Sequence, residues 1–211
     1  PHAAWHALAD KHKHLVILAP LESGATTQMV GRAAYEAISK PKGAVIVIVA
    51  ETQAKAKKRR DWIVGLVKRR HPDASKAVVR AYGFRSIPDD LTNGSPGVVD
   101  LFIADEAMGP EVMSRHMPLS AKEARDRILA ASLRAKRSII IGNTRGIDDV
   151  TVRAAADRDR HAVAFPMCDM SLKTTPDWAG WDAYSSDRVK DLAKPLGPEP
   201  FMPPCPLAVP P

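Results

Sequence analysis

Two adjacent carboxylates, Asp105 and Glu106, close an almost unbroken apolar run, Gly97-Val98-Val99-Asp100-Leu101-Phe102-Ile103-Ala104. Such a run, entered through Pro96-Gly97, predicts a strand buried on both faces. Ionised carboxylates are costly to bury, so the pair is expected just past the strand's carboxyl end, in a crevice. The chemistry that suits the pair is metal-assisted phosphoryl transfer. Asp105 would hold Mg²⁺, directly or through water, and Glu106 would orient and polarise the attacking water. A strand end followed by a solvated acidic turn is the plain alternative, because short motifs recur by chance.

A second group of residues points to the same chemistry. The apolar run Leu15-Val16-Ile17-Leu18-Ala19-Pro20 leads into Leu21-Glu22-Ser23-Gly24-Ala25-Thr26-Thr27. From Gln28 to Ser39 the pattern turns helical, with Met29, Ala33, Ala37 and Ile38 available for a core face. Strand, glycine-containing turn and helix form the context of a phosphate loop, in which backbone N–H groups at the helix start cradle phosphates. The Thr26 hydroxyl falls where such a loop reaches Mg²⁺. Against G-x-x-x-x-G-K-[ST] the segment departs twice: Ala19 replaces the first glycine and Ala25 the lysine. Taken alone, it reads as an ordinary strand-to-helix turn. A third group follows Ser138-Ile139-Ile140-Ile141, where Gly142-Asn143-Thr144-Arg145-Gly146 offers polar groups to a terminal phosphate or its attacking water.

These groups need a scaffold that brings strand ends together. Ala44–Ala50 is a further β-branched run, and Glu51-Thr52 leads from it into a helix over Gln53–Arg70. That helix carries Lys55, Lys57, Lys58, Arg59, Arg60, Lys68, Arg69 and Arg70, with Trp62, Ile63, Leu66 and Val67 as its apolar stripe. It is either a surface for DNA phosphates or a solvated face. Residues 71–96 are turn-rich, with Val78 and Val79 as a candidate edge strand. Ser120 and Glu123 form a capping-box pattern ahead of a helix from Ala121 to Lys136. Asp148-Asp149 open a helix through Ala156, and His161–Phe165 is another strand candidate. Strands alternating with helices predict an α/β fold, a mainly parallel sheet with helices on both faces.

Composition narrows the function classes. An apolar fraction of 45% over 211 residues suits a globular domain with an appendage. A net charge of +7 favours a polyanionic partner such as nucleic acid. No apolar run reaches the length of a membrane span, and no secretory signal is present. Cys168 and Cys205 lack ligand spacing, which fits two free thiols in a reducing cytoplasm. His2 and His6 lie one helical turn apart, followed by His12 and His14. No carboxylate or cysteine completes a metal set there, so ordinary surface histidines are expected.

The order and spacing of these motifs resemble the ATPase domain of the large terminase subunit of tailed phages, over Leu15 to about Phe201. Leu18 to Thr27 resembles that family's Walker A motif, and Ala50-Glu51-Thr52-Gln53 the end of its second strand. Asp105-Glu106 resembles Walker B with its catalytic glutamate. Ile141-Gly142-Asn143-Thr144 resembles the coupling motif, and Trp178 to Phe201 the segment leading to the nuclease domain. The resemblance implies a P-loop NTPase of the additional-strand class over residues 1–170, with a linker-like segment and Pro-rich tail over 171–211. It implies ATP and Mg²⁺ as ligands, with Pro20, Leu21, Glu22, Ser23, Gly24, Ala25, Thr26 and Thr27 around the nucleotide. Thr26 and Asp105 would hold the metal, and Glu106, Asn143 and Thr144 would be catalytic. The implied partners are double-stranded DNA, the portal protein and the small terminase subunit, with a homo-oligomeric ring as the working form in the bacterial host cytoplasm and no membrane involved. The chain ends before any RNase H-like nuclease domain, so no cleavage activity is expected. The family carries a basic residue near Leu21 and a lysine at the Ala25 position. Turnover then needs a cation from elsewhere, such as Arg145 or a neighbouring subunit. The alternatives are a degenerate, catalytically impaired nucleotide-binding or scaffold protein, and a DNA-binding module acting through the basic helix alone.

Overall fold

The computed structural model describes residues 8–19, 24–40, 43–71, 76–106, 119–142 and 150–164. In chain order the elements are β1 (His14–Leu18), α1 (Ala25–Ser39), β2 (Val45–Ala50), α2 (Gln53–Arg70), β3 (Val78–Gly83), α3 (Asp90–Asn93), β4 (Leu101–Asp105), α4 (Ala121–Arg134), β5 (Arg137–Gly142), α5 (Val150–Ala155) and β6 (His161–Ala164). Two compact units divide them, one of Thr26–Ile139 and one of Pro1–Ala25 with Ile140–Pro211. Strands run in the order β3-β2-β4-β5 in the first and β5-β1-β6 in the second, the border falling within β5.

In the unit Thr26–Ile139, β2 pairs in parallel with β3 on one side and β4 on the other. The Val/Ile-rich β2 and the Leu101–Ala104 stretch of β4 are buried almost throughout, as continuous apolar runs in a parallel sheet should be. β3 is half-exposed, as an edge strand should be. The register brings three carboxyl ends level, since Ala50 lies opposite both Gly83 and Asp105. α2 lies against β2 and β3. Its start is fixed twice. The Thr52 hydroxyl accepts from the Lys55 N–H at 3.2 Å, and the Gln53 amide donates to Ala81 O at 2.9 Å and accepts from Gly83 N–H at 2.7 Å. At Gly83 a Cβ would meet the Gln53 backbone nitrogen at 2.7 Å, so this close approach requires glycine. The capping box at Ser120 and Glu123 forms as predicted.

β4 begins at Leu101 rather than at the start of the apolar run. The reason is Asp100. Its side chain accepts from Val45 N–H at 2.8 Å and from the ammonium groups of Lys40 and Lys136 at 2.9 Å each. Lys40 also reaches Glu36 at 2.6 Å, so α1, β2, β4 and the entry to β5 meet at one buried carboxylate. Burial pushes the Asp100 carboxyl up, but these three donors prevail and hold it at about 2.

In the other unit, β1 and β6 pair in parallel, from Leu15 opposite His161 to Leu18 opposite Ala164. Ala19 N–H donates to Gly142 O at 3.1 Å, and α5 lies against both β1 and β6. The expected surface histidines are placed differently. His14 is the first residue of β1 and only 9% exposed, and burial, followed by the charges of Lys13 and Arg160, lowers its pKa. His12 stacks face to face on His161 at 3.5 Å. His2 and His6 lie outside the described residues. No helix among the described residues is long and apolar enough to cross a membrane.

Candidate active site

The site lies where β4 ends. Asp105 is the last residue of that strand and is fully buried. This corrects the expectation that both carboxylates lie beyond the strand; only Glu106 does, its side chain 38% exposed. Burial of Asp105 is tolerated because two elements bring it donors. The Thr26 hydroxyl, in the first turn of α1, lies 3.2 Å from Oδ1 and 3.1 Å from Oδ2. Arg59, two turns into α2, donates from Nε to Oδ2. Burial still prevails and raises the Asp105 pKa, against the lowering effects of the Arg59 charge and of the hydrogen bonds from Arg59 and Thr26. Asp105 is thus a carboxylate that its protein surroundings leave under-compensated.

Glu106 carries a φ of 47°, in the left-handed region. A non-glycine residue held there costs about 1 kcal/mol or more, and such strain gathers at functional positions. The turn swings Glu106 away from the strand line and toward solvent. Its Oε2 lies 4.0 Å from an Arg59 Nη2, so one guanidinium spans both carboxylates.

α1 starts at Ala25, three residues earlier than the helical pattern suggests. Gly24, just before it, has a φ of 75°, which glycine adopts without strain. Ala25 is buried, and α1 has no acidic residue in its first turn to repel an anion. Thr27 is exposed on the same turn. Of the remaining predicted residues, Pro20, Leu21, Glu22, Ser23, Asn143 and Thr144 lie outside the described residues, as does Arg145.

The donor set fits Mg²⁺. A hydroxyl and a carboxylate in contact are hard oxygen ligands, and Mg²⁺ keeps several waters and takes phosphate oxygens beside one or two such groups. Among the described residues no cluster of three or more His, Cys, Asp or Glu could cage a metal, and Thr26 and Asp105 would supply part of a coordination shell. Asp105 and Glu106 together outnumber the single charge of Arg59, a deficit that a divalent cation offsets.

Arg59 is the residue that sequence reasoning misplaced. It reads as one of a basic run on the surface, facing DNA phosphates or solvent, yet its side chain is 11% exposed and paired with Asp105. The signal was its spacing: Ala56, Ile63 and Val67 are the buried residues of α2, and Arg59 falls on their stripe at i+3 and i−4. Trp62, assigned to the apolar stripe, is 42% exposed instead. Lys57, Lys58, Lys68, Arg69 and Arg70 do face solvent.

The fold has known counterparts. A large terminase ATPase domain from Thermus phage P74-26 superposes with a TM-score of 0.52 at 16% identity, over 76% of this chain and 78% of that one. An arginine-to-alanine mutant of the same domain gives a TM-score of 0.52 over 80% of this chain and 81% of that one, again at 16% identity. This chain has the fold of a large terminase ATPase domain. At this identity the likeness speaks for the fold. No family model matches the sequence, and no curated protein does.

Proposed function

We propose that the chain is the ATPase domain of a phage or prophage large terminase, which powers packaging of double-stranded DNA into the prohead. The observation that carries the reading is the hydrogen-bonded pair of Thr26 and Asp105 at the level strand ends of a terminase-like fold. The ATP phosphates would lie along the segment Pro20-Leu21-Glu22-Ser23-Gly24-Ala25 and the first N–H groups of α1, where a helix start attracts anions. Mg²⁺, when bound, would offset charge on the phosphates and polarise the terminal one.

The chain's own residues divide the work. Thr26 and Asp105 would hold the metal through the hydroxyl and carboxylate oxygens that now meet each other. Glu106 accepts a hydrogen bond from the attacking water and takes its proton as the new phosphorus–oxygen bond forms. The bond from the terminal phosphorus to the bridging oxygen breaks, and ADP leaves with inorganic phosphate. Asn143 and Thr144 sense the terminal phosphate and couple its loss to movement. In this scheme residues 1–170 form the ATPase domain and 171–211 lead away from it. The working form is a ring that engages DNA, the portal and the small terminase subunit, with Lys57, Lys58, Lys68, Arg69 and Arg70 as the phosphate-facing surface.

The test is steady-state phosphate release by the full chain with Mg²⁺ and ATP, alone and with double-stranded DNA and portal. Release that requires Mg²⁺ and rises with DNA and portal is expected. No release above background under any of these conditions would leave a non-hydrolytic protein.

A further inference from the structure

Arg59 carries an inference beyond these roles, one that rests on the site being a nucleotide site. A buried guanidinium needs a reason. Asp105 alone supplies one acceptor pair, already shared with the Thr26 hydroxyl at 3.1 and 3.2 Å. Arg59 uses its Nε on that carboxylate, and its Nη2 lies 4.0 Å from Glu106, too far for a hydrogen bond. A guanidinium has five N–H donors in a rigid fork matched to carboxylate and phosphate. The fork therefore pairs with the carboxylate that would face the metal and lies 4.0 Å from the one that would face the water. Meanwhile Ala25, where a phosphate loop carries its lysine, offers only a buried methyl. Ala25 thus supplies no cation at the start of α1, and α2 delivers one to the carboxylate that Thr26 also contacts.

We propose that Arg59 is the phosphate-binding cation of this site, standing in for the lysine that Ala25 replaces. Without nucleotide it holds Asp105. With nucleotide its fork turns to the phosphate oxygens, leaving Asp105 for Mg²⁺. The placement differs from a loop lysine in a way that matters: the cation rides on a helix anchored through Gln53 to the end of β3. The competing account is a purely structural Arg59 that neutralises a buried carboxylate.

Equilibrium binding separates the two. The full-length chain is titrated, without added metal and with EDTA, with the fluorescent analogues mant-ATP and mant-AMP. The variants are Arg59→Gln, Arg59→Lys, Asp105→Asn and the double variant Arg59→Gln/Asp105→Asn. The last keeps the fold testable if a lone Asp105 charge is too costly to bury. A phosphate-binding Arg59 predicts that Arg59→Gln weakens mant-ATP roughly 10- to 100-fold, as loss of charge-assisted hydrogen bonds does, while mant-AMP changes by less than about twofold. Arg59→Lys should recover part of the loss. The double variant should show the same deficit relative to Asp105→Asn alone. If removing Arg59 leaves the mant-ATP affinity unchanged in both backgrounds, or weakens both analogues alike, Arg59 is structural and the proposal is wrong while the site stands. If the parent chain binds neither analogue, with or without Mg²⁺, the nucleotide reading itself fails and takes the proposal with it.

Discussion

The two ends of β4 each carry a buried aspartate, and the two are opposites. Asp100, before the strand, is surrounded by Val45 N–H, Lys40 and Lys136, which hold its carboxyl at about 2 despite burial. Asp105, at the other end, is more deeply buried and has Thr26 and Arg59, yet burial wins and its pKa is raised. The first is satisfied by the protein alone. The second is only partly satisfied, and its strand ends level with β2 beside it and with β3 beyond, at the carboxyl edge of the parallel sheet, where such folds bind ligands. A carboxylate that is saturated stabilises the fold; one left short of positive charge is suited to a cation. Backbone geometry follows the same division, since the left-handed residue Glu106 adjoins Asp105 and not Asp100.

The largest effect expected at the functional end is on turnover. Glu106→Gln should lower phosphate release by at least about 100-fold, the usual range for loss of a general base, with nucleotide affinity changed by less than about threefold. Parallel measurements of phosphate release and mant-ATP binding check this. Equal turnover in variant and parent would remove Glu106 from the chemistry and blur the distinction between the two ends.

At the structural end, Asp100→Ala should cost roughly 3 kcal/mol in urea denaturation, because three donors lose their acceptor. The same carboxylate sets a pH dependence. The Asp100 carboxyl is depressed from 3.8 to about 2, so its contribution of about 2 kcal/mol is complete above pH 4 and is lost as pH falls toward 2. A urea series from pH 7 to pH 2 should therefore show the parent's advantage over Asp100→Ala shrinking in that window. An advantage that is independent of pH would mean that the carboxylate charge is not what holds these elements together.

Much of this division is legible in the sequence, though not all. The alternation of apolar runs and helices gives the order of the elements, and β-branched runs mark the buried strands because a parallel sheet covered on both faces leaves no polar alternation. Asp105-Glu106 stands out as charge at the end of such a run. Asp100 does not, because one aspartate inside an apolar run reads as a blemish until its three donors converge from distant segments. Glu106's left-handed backbone has no signature in a glutamate. Arg59 was hidden by its company: in a run of four basic residues, composition suggests a surface, while position on the Ala56–Ile63–Val67 stripe indicates burial.

That correction yields the smallest predicted effect. With Arg59 committed to Asp105, and Lys55 and Arg60 paired with Glu51 and Asp61, the proposed DNA surface near the start of α2 rests on Lys57 and Lys58, both exposed. Replacing both with Gln should change stability by no more than about 0.5 kcal/mol. It should lower the log–log salt slope of DNA binding by roughly 0.9 for each DNA phosphate that the two lysines neutralise. Binding measured at two or more salt concentrations decides it, and identical curves for variant and parent would move the DNA surface off this helix.

The most direct test compares the two aspartates in one assay, thermal unfolding with and without saturating Mg²⁺ and ATP. A ligand at one hundred times its Kd stabilises the folded state by about 2.7 kcal/mol. The parent and Asp100→Ala should both gain a shift of that order, from different starting midpoints, whereas Asp105→Asn should gain little from its own starting midpoint. An Asp105→Asn chain stabilised as much as the parent, or a parent that gains nothing, would contradict the assignment of the carboxyl end of β4 as the site of metal and nucleotide.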